Sequence, residues 1–217
     1  MITLPRIAVQ GKIYESSASV VYRGIRDDGS AIILKMLKQD YPSPKELIRY
    51  RQEYQIIRLL NLEGVVTAYS LQNYQRTLII LLEDFGGESL EKWMRSHPET
   101  FCPMDLSTFL RLAIKLTDIL GNIHAAHVIH KDINPGNIVI NLETGVVKII
   151  DFGIATQFSR TNPTFKSPHV LEGTLAYLSP EQTGRMNRSL DYRTDFYSLG
   201  ITFYELLRNE KQITCAN

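Results

Sequence analysis

Cysteine is scarce: Cys102 and Cys215 are the only two in 217 residues. They lie far apart and in no CxxC or Cys/His spacing, which argues against a disulfide framework and a structural zinc site and leaves both as free thiols. An excess of either charge is also missing, with 24 Lys and Arg against 23 Asp and Glu, a net of +1, and no run of five like charges. Such a chain has no electrostatic footprint for nucleic acid or an anionic membrane surface. The longest uninterrupted apolar run, residues 78–82, falls far short of the ~20 residues that cross a bilayer, and residues 1–10 have no signal-peptide pattern. The expectation is a cytoplasmic chain with neither nucleic acid nor membrane as partner. Internal repeats and low-complexity segments are absent. What remains, 44% hydrophobic and 22% charged residues, is ordinary globular composition for one domain or a small two-lobed one.

Residues 6–14, 20–26 and 31–37 read as short alternating strands separated by turn chemistry such as Asp27-Asp28-Gly29-Ser30, an antiparallel meander. After Pro44, residues 45–60 put Leu47, Tyr50, Tyr54, Ile57 and Leu60 at helical spacing, with Pro44 suited to the first helical position. Apolar runs at 65–71 and 77–83 follow, and Asp84-Phe85-Gly86-Gly87 breaks the pattern at a lobe boundary. Beyond it the periodicity turns helical at 89–96 and again at 106–126, where Phe109, Leu110, Ala113, Leu116, Leu120 and Ile123 form an apolar stripe. Residues 137–140 and 146–150 read as a hairpin. A long stretch rich in Ser, Thr, Pro and Gly then runs from 151 to about 193, longer than the connections compact domains ordinarily carry without a function. A last apolar helix spans 194–207, capped by Thr194 or Asp191, before a polar tail at 208–217.

The most informative segment is His130-Lys131-Asp132-Ile133-Asn134-Pro135-Gly136-Asn137, followed fourteen residues on by Asp151-Phe152-Gly153. Taken singly, each is weak, because a loop Asp caps helices and Asn-Pro-Gly-Asn is plain turn chemistry. Together with a strand Lys35, a Glu on the next helix and Ser179-Pro180-Glu181, all in order, they match the protein-kinase signature set. From about residue 7 to 207 the chain resembles the eukaryotic-type Ser/Thr protein kinase domain. Gly173-Thr174-Leu175-Ala176-Tyr177-Leu178-Ser179-Pro180-Glu181-Gln182-Thr183-Gly184-Arg185-Met186-Asn187-Arg188 is similar to the kinase domains that open large bacterial hybrid sensor proteins, in which an ATPase module, a GAF domain and a histidine kinase follow. The resemblance implies an α+β bilobal fold. Residues 1–83 form an antiparallel β-sheet N-lobe with one helix, and 84–207 a mainly helical C-lobe that stops early, before the tail.

The resemblance also implies ATP and Mg²⁺ as cofactors, a protein substrate phosphorylated on Ser or Thr, and downstream signalling modules in a longer protein. Phosphoryl transfer asks a protein chiefly for positioning and charge stabilisation, and the matched positions supply both. Asp151 and Asn137 are oxygen ligands suited to Mg²⁺; Asp132 accepts or orients the substrate hydroxyl proton; Lys35 holds the α- and β-phosphates and pairs with Glu53, with Glu46 on the same helix as the alternative. Glu83, Asp84 and Phe85 match the segment whose backbone faces adenine, preceded by Leu82, and Val21, Ile33 and Val139 match the aliphatic residues around the ring. Thr174 tilts the acceptor toward Ser/Thr, and Asp195 matches the residue that anchors the catalytic loop from the helix below.

Several positions depart from the pattern. Where a GxGxxGxV loop places glycines, this chain has Tyr14, Ser16 and Ser19, so its amides approach phosphate less freely. Glu15 adds a repulsive charge there, while Ser16, Ser17 and Ser19 offer hydroxyls. Lys131 stands for the usual Arg, removing a bidentate fork for a phosphorylated loop, and Asn134 stands for a Lys that would reach the γ-phosphate. Glu181 is expected to lack its Arg partner, and a helical lobe without its last helices to expose apolar surface. Thr156, Ser159, Thr161, Thr164 and Ser167 are candidate autophosphorylation sites. The competing reading is a pseudokinase or truncated nucleotide-binding scaffold; the intact set Lys35, Asp132, Asn137 and Asp151 favours the enzyme.

Overall fold

A computed structural model describes residues 4–96, 104–157, 172–184 and 190–208. The chain divides into two compact units, Met1–Asn61 with Val66–Gly87, and Leu62–Val65 with Glu88–Asn217.

The first unit is an antiparallel sheet with one helix. Strands β1 (Ile7–Glu15), β2 (Ser19–Arg26), β3 (Ala31–Leu37), β4 (Ala68–Tyr74) and β5 (Thr77–Glu83) are ordered β1-β2-β3-β5-β4. Helix α1 (Pro44–Leu60) lies between β3 and β4 in sequence. β5 is buried along almost its whole length, which is why it reads as an unbroken apolar run rather than an alternating one. The register pairs Val21 with Lys35, Lys35 with Ile80 and Ile33 with Leu82. Strand alternation therefore sets Val21, Ile33, Lys35, Ile80 and Leu82 on one face. On the opposite face Ile32, Leu34, Ile79 and Leu81 cluster with Leu4.

α1 starts where Ser43 and Glu46 form a reciprocal capping box, with Pro44 in the first turn. The Ser43 amide donates to Glu46 Oε2 at 2.7 Å and the Glu46 amide donates to Ser43 Oγ at 3.3 Å, so two orphan donors of the first turn are satisfied. Asn61 closes the other end in the left-handed region, φ 37°, its amide bonded to the Ile57 carbonyl. The buried face comprises Tyr50, Glu53, Ile56, Ile57 and Leu60. Leu47 and Tyr54, expected in that stripe, are only half-buried, and a carboxylate takes the central position.

In the second unit β6 (Glu88–Ser89) leads into α2 (Leu90–Ser96), and α3 (Leu106–Ala125), capped by Asp105, precedes β7 (Val128–Ile129). β8 (Ile138–Asn141) and β9 (Val146–Ile149) form the expected hairpin, flanked by β6, and β10 (Thr156–Gln157) pairs with β7. The apolar run at 65–71 is divided: Val65 bridges Ile149 of the hairpin, and β4 begins only at Ala68. α3 buries Phe109, Leu112, Leu116, Leu120 and Ile123. Leu110, assigned to that stripe from sequence, is 49% exposed, because a step of one residue turns the side chain through about 100°. The stretches 158–171, 185–189 and 209–217 lie outside the described residues, and with them Ser159, Thr161, Thr164, Ser167, Arg185, Met186, Asn187, Arg188 and the polar tail.

The last helix among the described residues, α4 (Arg193–Arg208), buries polar side chains alongside apolar ones. Its buried residues include Thr194, Asp195, Ser198, Thr202 and Glu205 beside Leu199 and Leu206, while Phe196 is 47%, Tyr197 42% and Leu207 37% exposed. Polar side chains go inward here because each finds a partner. Ser198 Oγ donates to the Tyr177 carbonyl at 2.7 Å and Thr202 Oγ1 to the Ser198 carbonyl at 2.9 Å, and Tyr177 Oη donates to Glu205. Burial and that carboxylate push the Tyr177 hydroxyl far above the ordinary phenol range.

Gly64 packs its α-carbon against α3. A Cβ there would lie 2.1 Å from Ile119 Cγ1 and 2.7 Å from both Cγ2 and Cδ1, so the β-branched side chain cannot move aside cheaply. Gly64→Ala is expected to lower stability by about 1–3 kcal/mol through overpacking, read as a lower urea midpoint at constant slope. Adding Ile119→Ala should restore part of the loss, and an unchanged midpoint in the single variant would contradict the packing argument.

Candidate active site

In the first unit Lys35 Nζ and Glu53 Oε1 are 2.6 Å apart, both side chains nearly solvent-free. Burying either charge alone would be strongly unfavourable, and the pair compensates what neither could bear singly. The choice between Glu46 and Glu53 is resolved by position. Glu46 is occupied at the exposed helix start by the capping box, whereas Glu53 is turned inward. Val21, Ile33 and Lys35 occupy one face of adjacent strands, and all but Lys35 are half-buried, as is Val139 in the second unit. Leu82 is buried.

Around the end of β5, Glu83 and Thr67 bond twice: the Glu83 amide donates to the Thr67 carbonyl at 3.0 Å, and the Thr67 amide donates to Glu83 Oε1 at 2.6 Å. Asp84 pairs with Arg23, Nε to Oδ2 at 2.5 Å, and accepts the Gly86 amide at 2.9 Å. These side-chain contacts fix the backbone through residues 83–86, while Phe85 stays half-buried.

The β1–β2 connection differs from the expectation in two ways. Glu15 does not stand as a lone repulsive charge, since Lys12 Nζ lies 2.5 Å and Lys38 Nζ 2.7 Å from its carboxylate. Hydrogen bonds from Lys12 and then Lys38 draw its pKa down to about 2. The hydroxyls of Ser16 and Ser19 face each other at 3.2 Å rather than outward, and Ser16 Oγ accepts the amides of Ala18 at 3.2 Å and Ser19 at 3.0 Å.

The second unit gathers Asp132, Asn134, Asn137, Asp151 and Thr174. Asp132 Oδ1 accepts the Thr174 amide at 2.8 Å and Oδ2 accepts Asn137 Nδ2 at 2.9 Å, so the carboxylate is oriented through both oxygens. Asn137 Nδ2 also donates to the Asp132 carbonyl at 2.8 Å, which turns its Oδ1 away from that loop. The Ile150 amide donates to the Asn137 carbonyl at 2.9 Å, setting Asp151 one residue from the Asn137 backbone. Asp151 itself is in the left-handed region, φ 63°, and accepts the Gly153 amide at 3.2 Å. Such a conformation for a non-glycine residue persists only where surroundings enforce it.

Asn134, standing where a cation is usual, is wholly engaged within the loop. Its Nδ2 donates to the Asp132 carbonyl at 3.0 Å and to Thr174 Oγ1 at 3.2 Å, and its Oδ1 accepts the Gly136 amide at 2.8 Å. Asp195, fully buried, accepts the amides of His130 at 2.8 Å and Lys131 at 2.7 Å and the His124 Nε2 proton at 2.8 Å. Lys131 has φ 69°, and its carbonyl accepts Gln182 Nε2 at 2.9 Å. The Asp132 amide donates to His130 Nδ1, leaving Nε2–H to donate to the Ile150 carbonyl at 3.1 Å, and the ring meets Phe152 edge-on at 4.7 Å. Glu181 accepts Thr194 Oγ1 at 2.9 Å. His124 and Gln182 were not recognised from sequence, because a helix-end His and a loop Gln carry no local signal of what they hold.

Asn137 and Asp151 offer oxygen donors only, which suits a hard cation such as Mg²⁺. No cluster of three or more His, Cys, Asp or Glu able to hold a metal occurs among the described residues. A Mg²⁺ here therefore fits as one shared with substrate phosphates, which complete its oxygen shell.

The protein kinase domain profile matches residues 8–215, and the chain belongs to that family. The match runs past residue 207, where the motifs alone end it. The serine/threonine-protein kinase PknL of Mycobacterium tuberculosis is 33% identical over 215 residues, covering 96% of this chain and 51% of that protein. PrkC of Bacillus subtilis is 30% identical over 177 residues, 81% of this chain and 26% of PrkC, and PknB of Mycobacterium leprae 32% over 184 residues, 82% and 28%. The chain thus spans about half the length of PknL and less of the others.

The Lys12–Glu15–Lys38 clip has a definite pH signature. Because the folded carboxyl titrates near pH 2 against an ordinary value of 4.5, its stabilisation is complete above the ordinary value and declines as pH falls toward 2. The melting temperature of the parent should exceed that of Glu15→Gln near pH 6, with the gap narrowing steadily between pH 4.5 and 2.5. A gap independent of pH would place the effect of Glu15 elsewhere.

Proposed function

We propose that this chain is an ATP-dependent kinase domain that transfers the γ-phosphoryl group to Ser or Thr hydroxyls of a protein substrate. The observation that carries the reading is the doubly oriented Asp132 carboxylate, on a loop whose two preceding amides end on the buried Asp195. An oriented carboxylate of this kind accepts the proton of an attacking hydroxyl, and Thr174 beside it suits an aliphatic acceptor. Lys35, held by Glu53, engages the α- and β-phosphates. Asn137 and Asp151 are the metal ligands, and Mg²⁺ would neutralise charge developing on the phosphates. Val21 and Ile33 would meet the adenine ring, and the backbone at Glu83 and Phe85 would bond its edge. The names of PknL, PrkC and PknB support the Ser/Thr class. The segment from Gly173 to Arg188 supports placement in a larger bacterial signalling protein with further modules.

The test combines binding and transfer. With Mg²⁺-ATP at 100 times its dissociation constant the purified chain should gain about 2.7 kcal/mol of stability, and Asp151→Ala should lose that gain. Phosphate incorporation from γ-labelled ATP into a Ser/Thr peptide library should fall by about 10²–10⁴-fold in Asp132→Asn. A full thermal shift without incorporation in the parent would favour the binding-only reading; absence of both would reject the nucleotide site.

A further inference from the structure

We propose that Ser16 acts as an internal plug of the β1–β2 loop, its hydroxyl oxygen occupying the backbone amides that a nucleotide's phosphates would otherwise receive. The inference rests on the nucleotide reading above. Consecutive amides converging on one point form an anion-binding concavity, and the amides of Ala18 and Ser19 do converge. The atom at their focus is Ser16 Oγ, at 3.2 and 3.0 Å. The loop is closed around that oxygen from every side. The Ser16 amide donates to the Ser19 carbonyl at 2.8 Å, the Lys38 amide donates to the Ala18 carbonyl at 2.9 Å, and Ser19, itself buried, sets its hydroxyl 3.2 Å from that of Ser16. Lys12 and Lys38 clip Glu15 at the base.

A phosphate oxygen reaching this loop must displace Ser16 Oγ, so two hydrogen bonds are exchanged rather than gained and the net benefit is small. A glycine at the position would leave the amides to water, which a charged phosphate displaces with profit to affinity. Ser16 is thus an affinity-setting residue that touches no reacting atom: it lowers the share of binding contributed by the phosphates and leaves adenosine recognition unaltered.

The experiment compares the dissociation constants of adenosine and Mg²⁺-ATP for the parent, Ser16→Ala and Ser16→Thr by calorimetry, with amide hydrogen exchange at residues 18 and 19 as a structural readout. In Ser16→Ala the two amides should exchange faster without ligand, adenosine affinity should hold, and the adenosine-to-ATP ratio of dissociation constants should rise about tenfold, as one or two additional hydrogen bonds to a charged group warrant. Ser16→Thr, which keeps the hydroxyl, should behave as the parent. A ratio unchanged or lowered in Ser16→Ala would overturn the plug, showing that the hydroxyl shapes the loop in favour of phosphate. Failure of the parent to bind either ligand would instead overturn the nucleotide reading and the plug with it.

Discussion

A carboxylate without solvent must find donors for both oxygens, and Asp195 finds three: the amides of His130 and Lys131 and the ring of His124. Those two amides belong to a stretch that cannot satisfy them by regular structure, because Lys131 lies at φ 69°. The arrangement is mutual, since the strained peptide is tolerable only with its donors met and the buried charge only with donors aimed at it. Gln182 takes the Lys131 carbonyl, so the loop is gripped from α4 on one side and from the segment 172–184 on the other. Gly173 completes the fit: its φ of 114° suits glycine alone, and a Cβ there would press on Leu178 at 2.9 Å and the Lys131 carbonyl at 3.3 Å. The orientation of Asp132 follows from this clamp rather than from Asp132 itself.

The same requirement explains α4. An amphipathic helix ordinarily turns its apolar stripe inward. The inward face of α4 instead meets polar groups: backbone amides for Asp195 and the Tyr177 carbonyl for Ser198, and the side chains of Glu181 and Tyr177 for Thr194 and Glu205. Aromatic residues that would have formed a core are left outward or stack locally, as Tyr192, Phe196 and His124 do with ring centroids 5.2–5.9 Å apart. Periodicity reports where a helix is, but which face is buried depends on what it packs against, and that partner is non-local.

What could be read from the sequence divides along this line. Strand β3, helix α1 with Pro44 at its start and the β8–β9 hairpin were legible, because local turn chemistry encodes them, and so was the pairing of Lys35 with Glu53. Leu110 was misplaced by a single helical step, whereas Glu53 was preferred over Glu46 and is the residue that pairs with Lys35, Glu46 being held by the capping box. That box, Ser43 followed three residues later by Glu46, was itself present in the sequence and unused. Gln182 and His124 carried no signal, since their roles exist only through contacts with residues far along the chain.

The two units commit their polar groups differently. In the second unit Asn137 and the Thr174 amide orient the Asp132 carboxylate, while Asn134, which lacks the cation usual at its position, gives its amide to Thr174 and the Asp132 carbonyl. In the first unit the Lys35–Glu53 pair is built with equal economy, yet the neighbouring loop turns its amides onto its own serine. Charge is buried at greatest expense at Lys35, Glu53 and Asp195, where the arrangements are unfavourable unless complete. They are complete, and in the β1–β2 loop the Ser16 and Ser19 hydroxyls sit without burying an unmet charge. These buried charges are thus met in full, while the amides of the β1–β2 loop close on its own side chain, Ser16.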